Sequence, residues 1–261
     1  MIGIPHLSMT PILNQWRPVG ILPALEGGEV QLWRIELDNA SDFIGHYTSH
    51  LTSIEKADAE RHRIGETRNH FAIGRACLRI LLGHALGIAP NDINIAAGAH
   101  GKPEIPDVRG NRIYFNLAHS SNTILIAMSY EGAVGVDVEY LDRATDFMEV
   151  ALANFTEQET ASLAAIADPN ILHRTFYSYW TRKEAVGKAD GRGLLLSLAS
   201  FDVSFESMSN HPICLPESDD NKGKQYFVSD IDLGDSVVGA LALESSDCHI
   251  SQMLFPLASK L

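Results

Sequence analysis

The most informative part of this chain is WTRKEAVGK at residues 180–188, taken together with GVDVE at residues 135–139. Glu184 and Lys188 are four residues apart, so a helix would place both side chains on one face. Asp137 and Glu139 are two residues apart, so a strand would place both carboxylates on one face. If the helix packs against the strand, three acids and a lysine could hold a divalent cation against a phosphate ester.

The overall composition limits the kind of ligand that the chain can bind. Its 261 residues suffice for one large domain or two small ones, and a hydrophobic fraction of 45% is typical of a globular protein. The formal net charge of -13 argues against a sequence-independent nucleic-acid binder, because such proteins are usually basic. An anionic ligand would therefore need a local group of cationic side chains or a metal.

Cysteine usage and hydropathy indicate the compartment. Cys77, Cys214 and Cys248 are odd in number and lack the spacing of a zinc site, which predicts reduced thiols in a cytoplasmic protein. The N-terminus lacks a basic segment followed by an apolar run, so we expect no secretory signal. No segment approaches about 18 uninterrupted apolar residues, so none is expected to span a membrane.

In the first half, residues 29–37 alternate as a strand should, and residues 41–65 show a polar helical pattern. A stronger helical pattern covers residues 69–86 and ends at a plausible glycine cap. Two strands are expected next, at residues 113–117 and 123–129, with a His-Ser-Ser turn between them.

The second half begins with another strand, at residues 133–140. Thr156 and Glu159 have the spacing of a capping box, which predicts the start of a helix. The expected helices cover residues 146–153, 156–167 and 170–189, and the expected strands cover residues 201–205, 226–229 and 237–243, with a hairpin tip at 219–224.

The two halves carry their elements in the same order. A strand leading into helices ends at residues 33–38 in the first half and at residues 136–142 in the second. This repeat predicts an α+β fold, a pseudodimer of two similar α+β lobes related by a pseudo-twofold axis, with the active site in the cleft between them. The expected divisions are an N-terminal lead-in at 1–28, an N-terminal lobe at 29–131 and a C-terminal lobe at 132–261.

The acidic residues admit two interpretations. Asp137 and Glu139 could be exposed on an edge strand, or they could face a cation, because burying two adjacent carboxylates without one is costly. Lys188 could form a surface pair with Glu184, or it could stabilise developing charge on a phosphate. Trp180 is expected to pack chiefly in the core.

Other cationic side chains are weaker candidates for phosphate recognition. Lys102 lies in a Gly-Lys-Pro turn, and His119 lies at the end of a predicted strand. Arg68, Arg75 and Arg79 belong to the long first-half helix, and arginine suits phosphate recognition. At least one of these arginines is expected only to be solvated.

The order of the motifs in the chain is more informative than any one motif alone. They are RNHFAIGR at 68–75, GKP at 101–103, FNLAHS at 115–120, GVDVE at 135–139 and WTRKEAVGKADGRGL at 180–194. In this order they closely resemble the 4′-phosphopantetheinyl transferase family, in its larger monomeric type named for the surfactin-synthetase activator. The resemblance covers roughly residues 50–200, and its last two motifs are highly specific together.

The resemblance implies a Mg²⁺-dependent transfer of 4′-phosphopantetheine from coenzyme A to a serine of an apo acyl, polyketide or peptidyl carrier protein. Adenosine 3′,5′-bisphosphate would be released. It implies Asp137, Glu139 and Glu184 as ligands of Mg²⁺, with Mn²⁺ as an alternative. Glu184 would also be the general base, directly or through water, and Lys188 would contact the pyrophosphate. The family type is a monomer.

The same resemblance assigns the rest of the coenzyme A site. Lys102 and His119 would contact the adenosine end, with His119 at the 3′-phosphate, and Arg68 and Arg75 would be further coenzyme A contacts. Ala118 stands where many members carry serine, so one hydroxyl contact to phosphate is expected to be lost. Because both the enzyme and its carrier would be acidic, docking should use apolar contact, for which we consider the leucines at 194–196.

Two other functions use the same residues. A Mg²⁺-dependent phosphohydrolase would use the acids with water as nucleophile and would cleave coenzyme A without a carrier. A carrier-binding scaffold would keep the fold and lose the chemistry, but the intact set of acids and lysine argues against it.

Overall fold

The computed structural model describes residues 15–38, 40–98, 100–107, 112–142, 147–205, 210–216 and 223–257. These residues form a mixed α+β fold, as the sequence predicts at that level. The α-helices are α1 (Ile44–Thr48), α2 (Ser53–Glu60), α3 (Gly65–Leu86), α4 (Phe147–Asn154), α5 (Glu157–Ala164) and α6 (Pro169–Asp190). Short 3-10 helices cover Ala40–Phe43, Pro90–Asp92, Gly193–Leu195 and Leu198–Ser200.

The strands build two large sheets and one small hairpin within the described residues. They are β1 (Arg17–Pro18), β2 (Glu29–Glu36), β3 (Ala96–Ala97), β4 (Pro103–Glu104), β5 (Tyr114–Ser120), β6 (Thr123–Ser129), β7 (Val134–Tyr140), β8 (His211–Cys214), β9 (Gln225–Asp232), β10 (Val237–Leu243) and β11 (His249–Leu254). The first sheet has the order β1-β11-β2-β6-β5, and the second has the order β7-β10-β9-β8. Because β11 pairs in parallel with β2, the end of the chain returns to the sheet of the first half.

Alternation along the strands divides the core into layers. Leu32 and Leu125 of the first sheet share an apolar cluster with Val136 and Leu241 of the second. The residues on the opposite faces pack against the long helices, α3 on the first sheet and α6 on the second. Each large sheet therefore carries one long helix on one face and contacts the other sheet with its remaining face.

Each long helix is tied to the short helix before it by a buried ion pair. The predicted capping box at Thr156 and Glu159 is confirmed, and α2 begins with the same arrangement. The capping Glu159 then reaches Lys183 on α6 at 2.8 Å, with both side chains fully buried. In the first half the capping Glu55 binds two arginines of α3. Removing one partner of such a pair would leave a buried, uncompensated charge, so these residues hold the helices in place.

The predicted strand at residues 201–205 is wrong. Lys183 donates to the Phe201 carbonyl, and Arg182 donates to the carbonyls of Val203 and Phe205. The carboxylate of Glu159 accepts from the Val203 amide. Buried charged side chains of α5 and α6 thus take the backbone groups that a neighbouring strand would otherwise bind.

Other boundaries differ from the sequence pattern. The helical stretch expected at 41–65 is broken into a 3-10 helix, α1 and α2, and α3 begins at Gly65. His119 belongs to β5, so the turn lies at Ser121, whose φ is 48°. β8 and β11 are strands that the sequence did not indicate, while most of the hairpin tip expected at 219–224 lies outside the described residues.

Two expectations about the chain's chemistry and hydropathy can be compared with the structure. The three cysteines are free, and Cys77 is buried. Across the described ranges, none of the helices combines the length and the apolar character needed to cross a membrane.

Candidate active site

The site begins where β7 lies directly on α6. A Cβ on Gly135 would overlap the carbonyl oxygen of Ala185 and the amide nitrogen of Ala189, and would lie 3.0 Å from the Ala189 Cα. Only glycine allows a strand and a helix to approach this closely. Asp137 follows two residues later on the same face of β7, so its carboxylate also faces α6.

Asp137 forms the centre of the site with Lys188 of α6. The Lys188 ammonium donates to Asp137 Oδ1 at 2.6 Å and to the Val136 carbonyl at 3.3 Å. Asp137 is 5% exposed, and its second oxygen, Oδ2, is buried without a hydrogen-bond partner. Burial raises the pKa of Asp137 to about 7, against the opposing charge of Lys188. The buried Oδ2 is therefore a free acceptor in a place where an acceptor is costly to leave unpaired.

Glu139 lies two residues further along β7, on the same face as Asp137, and is held by a donor from β5. Ser120 of β5 donates to Glu139 Oε2 at 3.0 Å. Burial raises the pKa of Glu139, while Ser120, Lys188 and the nearby Trp180 of α6 lower it. Glu139 therefore stands where β5, β7 and α6 meet.

Glu184 completes the group of acids. It lies one turn before Lys188 on α6, and both line a cavity of about 540 Å³ together with Trp180 and Lys102. Its charge contributes to raising the pKa values of Asp137 and Glu139, so the three carboxylates are close enough to repel one another. The structure thus brings together the four residues that the sequence placed at the catalytic centre.

The three acids are chemically suited to bind magnesium, but their side chains are not already arranged as a metal site. In the part of the chain that is described, no three His, Cys, Asp or Glu side chains already stand at metal-binding separations. Carboxylate oxygens are nevertheless donors that Mg²⁺ prefers, and its remaining ligands are usually water and substrate phosphate. The unpartnered Oδ2 of Asp137 fits such a ligand.

Lys102 joins the two halves of the chain at the edge of the cavity. Its ammonium donates to the Val134 carbonyl of β7 at 3.2 Å and to the Ala189 carbonyl of α6 at 3.1 Å. Burial lowers the pKa of Lys102 to about 8, and nearby acids, Glu104 foremost, oppose that shift. The Lys102 side chain, for which the sequence predicted a coenzyme A contact, therefore holds β7 against the end of α6 and lines the cavity.

We expect this lowered pKa to appear in the pH dependence of stability. The unfolded chain keeps Lys102 protonated up to about pH 10.4, while the folded chain releases that proton near pH 8. Between these values the unfolded state binds more protons, so stability rises with pH. The free energy of unfolding of wild type, minus that of Lys102→Met, should grow from pH 8 to pH 10. Urea denaturation at several pH values measures it, and a constant difference would contradict the prediction.

His119 lies on the face of β5 that points toward α3. It lines a smaller cavity of about 150 Å³ with His70 and Arg75. Burial lowers the pKa of His119, and the charges of His70 and Lys188 lower it further. Ala118, on the other face of β5, is buried in the apolar cluster between the two sheets. The charge of Lys188 therefore reaches His119, although the two side chains line different cavities, while the neighbouring Ala118 packs in the core.

The arginines of α3 have chiefly structural partners. Arg75 and Arg79 each donate through Nε to a different oxygen of Glu55, at 2.6 Å in both cases. Arg68 pairs with exposed Glu60 at 3.1 Å and lines a separate groove along α1 and α2. Of the two arginines predicted to bind coenzyme A, only Arg75 lies beside the same cavity as His119.

Sequence reasoning missed the residues that support the acids. Asn116 Oδ1 accepts from the Val136 amide at 2.9 Å, and Ser120 Oγ accepts from the Tyr140 amide at 2.9 Å. Both belong to the FNLAHS motif and are four residues apart, on one face of β5. Their shared face was a signal that the two polar side chains could act together. Nothing in the sequence, however, shows that β5 runs beside β7. Trp180, expected chiefly in the core, stacks on Phe176 and also lies close enough to Glu139 to lower its pKa.

Comparisons with known proteins point to one family. A family model described as the 4′-phosphopantetheinyl transferase superfamily matches residues 133–240. The 4′-phosphopantetheinyl transferase HetI of Nostoc sp. is 36% identical over 182 residues, which cover 69% of this chain and 76% of HetI. Sfp of Bacillus subtilis is 27% identical over 66% of this chain and 74% of Sfp. AcpT of Escherichia coli is 33% identical over 59% of this chain and 73% of AcpT.

Proposed function

The chain belongs to the 4′-phosphopantetheinyl transferase family, and on that premise we propose that it modifies a serine of an apo carrier protein with the phosphopantetheine of coenzyme A. The observation that carries the proposal is the group formed by Asp137, Glu139, Glu184 and Lys188. It lies within the matched residues and beside a cavity open to substrate.

The proposed reaction replaces one phosphorus–oxygen bond with another. The serine oxygen of the carrier bonds to the phosphorus that carries pantetheine, and the bond from that phosphorus to the bridging pyrophosphate oxygen breaks. Adenosine 3′,5′-bisphosphate leaves with the bond's electron pair. The serine proton passes to Glu184 through a water molecule, because a carboxylate near a cation is a weakened base. Lys188 stabilises the charge that develops on the leaving phosphate.

We propose that Asp137, Glu139 and Glu184 hold Mg²⁺, with Mn²⁺ as an alternative. The bound cation would offset the charge of the pyrophosphate. The unpartnered Oδ2 of Asp137 and the mutual repulsion of the three acids support this assignment. We also propose that Lys102 and His119 face the adenosine end of coenzyme A, with Arg75 and Arg68 as further contacts.

The two halves of the chain support a pseudodimer. The order β2-β6-β5 in the first sheet matches β7-β10-β9 in the second, with antiparallel pairing in both. α3 and α6 each have 22 residues and end at a glycine with positive φ. We propose lobes at 29–131 and 132–261 after a lead-in at 1–28, with β11 crossing back and a pseudo-twofold axis between the lobes.

Only the second lobe carries the acids and lysine. Counted from the first residue of each 22-residue helix, Ile80 and His84 of α3 occupy the places of Glu184 and Lys188 of α6. We therefore propose one catalytic centre per chain, in the cleft between the lobes. Since one chain supplies both lobes, we propose that it works as a monomer, in the cytoplasm where coenzyme A is available.

The carrier surface is proposed to include Leu195. This side chain is 72% exposed and lies in the chain between Gly193 and Leu196, which line the 540 Å³ cavity, and Leu152 of α4 is equally exposed. Leu196, by contrast, is buried in the core of the second lobe, and the Leu194 side chain lies outside the described residues. Of the two leucines in this group whose side chains the structure describes, Leu195 is exposed to a partner and Leu196 is not.

Leu195→Ser should raise KM for the carrier about tenfold and leave kcat and the KM for coenzyme A unchanged. Losing one buried leucine contact costs about 1.5 kcal/mol, which corresponds to about a tenfold change in affinity. Ile171→Ser is the matched control, since Ile171 is 57% exposed at the far end of α6. Steady-state kinetics with varied carrier concentration measures the effect. An unchanged carrier KM in a folded variant would exclude Leu195 from the docking surface.

The first test of the proposed function is intact-protein mass spectrometry of apo carrier proteins incubated with this protein, coenzyme A and Mg²⁺. Fatty-acid, polyketide and peptide carriers are each supplied, with EDTA and Glu184→Gln as controls. A phosphopantetheine mass gain that both controls abolish supports the transferase and its metal. Hydrolysis of coenzyme A without any mass gain would indicate a phosphohydrolase. If there were no mass gain and no hydrolysis, the protein would be a carrier-binding scaffold.

A further inference from the structure

We propose that Ser120 is a positioning residue that orients Glu139 toward the bound metal from the opposite lobe. This inference rests on the proposed function, since it assigns a support to one of the proposed metal ligands. Ser120 ends β5 in the first lobe, while Glu139 is near the end of β7 in the second. The hydroxyl therefore reaches across the boundary between the lobes.

The hydrogen bonds of Ser120 fix the direction of its proton. Its Oγ accepts from the Tyr140 amide at 2.9 Å, and an amide can only donate. The single hydroxyl proton is then available to Glu139 Oε2, which lies 3.0 Å away. An ionised carboxylate is an acceptor only, so this geometry favours the charged form that a metal ligand requires.

The bond from Ser120 restricts the rotation of the Glu139 side chain, whose carboxylate is close enough to Asp137 and Glu184 for the charges to interact. Hydrogen bonds of this kind change the metal affinity of a site, because they orient the ligands.

The bond between Ser120 and Glu139 is not needed to join the strands. Asn116 already ties β5 to β7 by accepting from the Val136 amide at 2.9 Å, four residues earlier. The Tyr140 amide forms a second bond between the strands by donating to the Ser120 oxygen. That bond leaves the hydroxyl proton of Ser120 unused. The proton of Ser120 therefore serves Glu139 alone, and its loss should affect the site more than the fold.

The test measures Mn²⁺ binding by electron paramagnetic resonance in the presence of coenzyme A, without any carrier. Ser120→Ala should weaken Mn²⁺ binding about tenfold, the lower end of the range seen for such supporting residues. Ser120→Thr keeps a hydroxyl at the same position and should restore binding to within about threefold. The same Kd for wild type and Ser120→Ala would overturn the proposal.

Ser129→Ala is the matched control. Ser129 lies on β6, donates to the Glu29 carbonyl and accepts from the Glu131 amide, so it has the same bonding pattern without a carboxylate of the site. The Ser129→Ala protein should bind Mn²⁺ with the same affinity as wild type. If Ser129→Ala weakened Mn²⁺ binding as much as Ser120→Ala, the effect would be a general loss of rigidity and the proposal would fail.

A double-mutant cycle separates the action through Glu139 from the tie to Tyr140. In a Glu139→Gln background, Ser120→Ala should cause no further loss of Mn²⁺ affinity. An additional tenfold loss there would show that Ser120 acts by another route. Failure of the proposed function is distinguishable, because it would appear as wild-type protein that binds Mn²⁺ and coenzyme A but modifies no carrier.

Discussion

Glu184→Gln should lower kcat for phosphopantetheine transfer by about a hundredfold to ten-thousandfold, the range associated with loss of a general base. The amide keeps the size and shape of the side chain but cannot accept the serine proton. Glu184 is half-buried and lines the 540 Å³ cavity, so the change leaves the packed core untouched. The KM for coenzyme A should change much less than kcat.

The measurement is the rate of mass gain of an apo carrier at saturating substrates, with thermal unfolding of each variant. Glu157→Gln is the matched control, because Glu157 is an exposed glutamate on α5 that does not line the cavity. That variant should keep wild-type kcat. A Glu184→Gln variant that is folded and transfers at more than a tenth of the wild-type rate would remove Glu184 from the base role.

Gly135→Ala should reduce both stability and activity by separating β7 from α6. The added Cβ would overlap backbone atoms of Ala185 and Ala189, and backbone atoms cannot rotate away as a side chain can. Overpacking of this kind costs about 3 kcal/mol, which lowers Tm by roughly 6 to 12 °C in a protein of this size. Because Asp137 and Lys188 lie on the two separated elements, kcat should also fall about a hundredfold.

Gly45→Ala is the control for Gly135→Ala. Gly45 lies in α1, and a Cβ there would meet nothing within 4 Å. Alanine favours a helix over glycine by about 1 kcal/mol, so this variant should be as stable as wild type or slightly more stable. Calorimetry and transfer kinetics on both variants test the prediction. A Gly135→Ala protein with wild-type Tm and kcat would mean that β7 and α6 can separate without cost.

Elements with strong local patterns were predictable. The long helices α3 and α6, the alternating strands β2 and β7, and the capping box at Thr156 all depend on residues close together in the chain. The same holds for the carboxylate pair on β7 and for the spacing of Glu184 and Lys188 on α6. Local spacing determines which face of one element a side chain occupies.

Features that depend on distant partners were not predictable. Residues 201–205 look like a strand, but the buried charges of Glu159, Arg182 and Lys183 bind their backbone. β11 was missed because its pairing with β2 joins residues more than 200 positions apart. Arg75 and Arg79 suit phosphate recognition by residue type, and only the folded structure shows that each of them also binds Glu55.

The residue types and spacings of the motifs were thus enough to identify the family and to name the acids and the lysine of the candidate site. The tertiary structure alone decided how they meet, through the bare backbone at Gly135, the Lys188–Asp137 pair and the bond of Ser120 to Glu139. The physical reason is that helical and strand periodicity act over a few residues. Hydrogen bonds and close packing between elements depend on which surfaces meet when the chain folds.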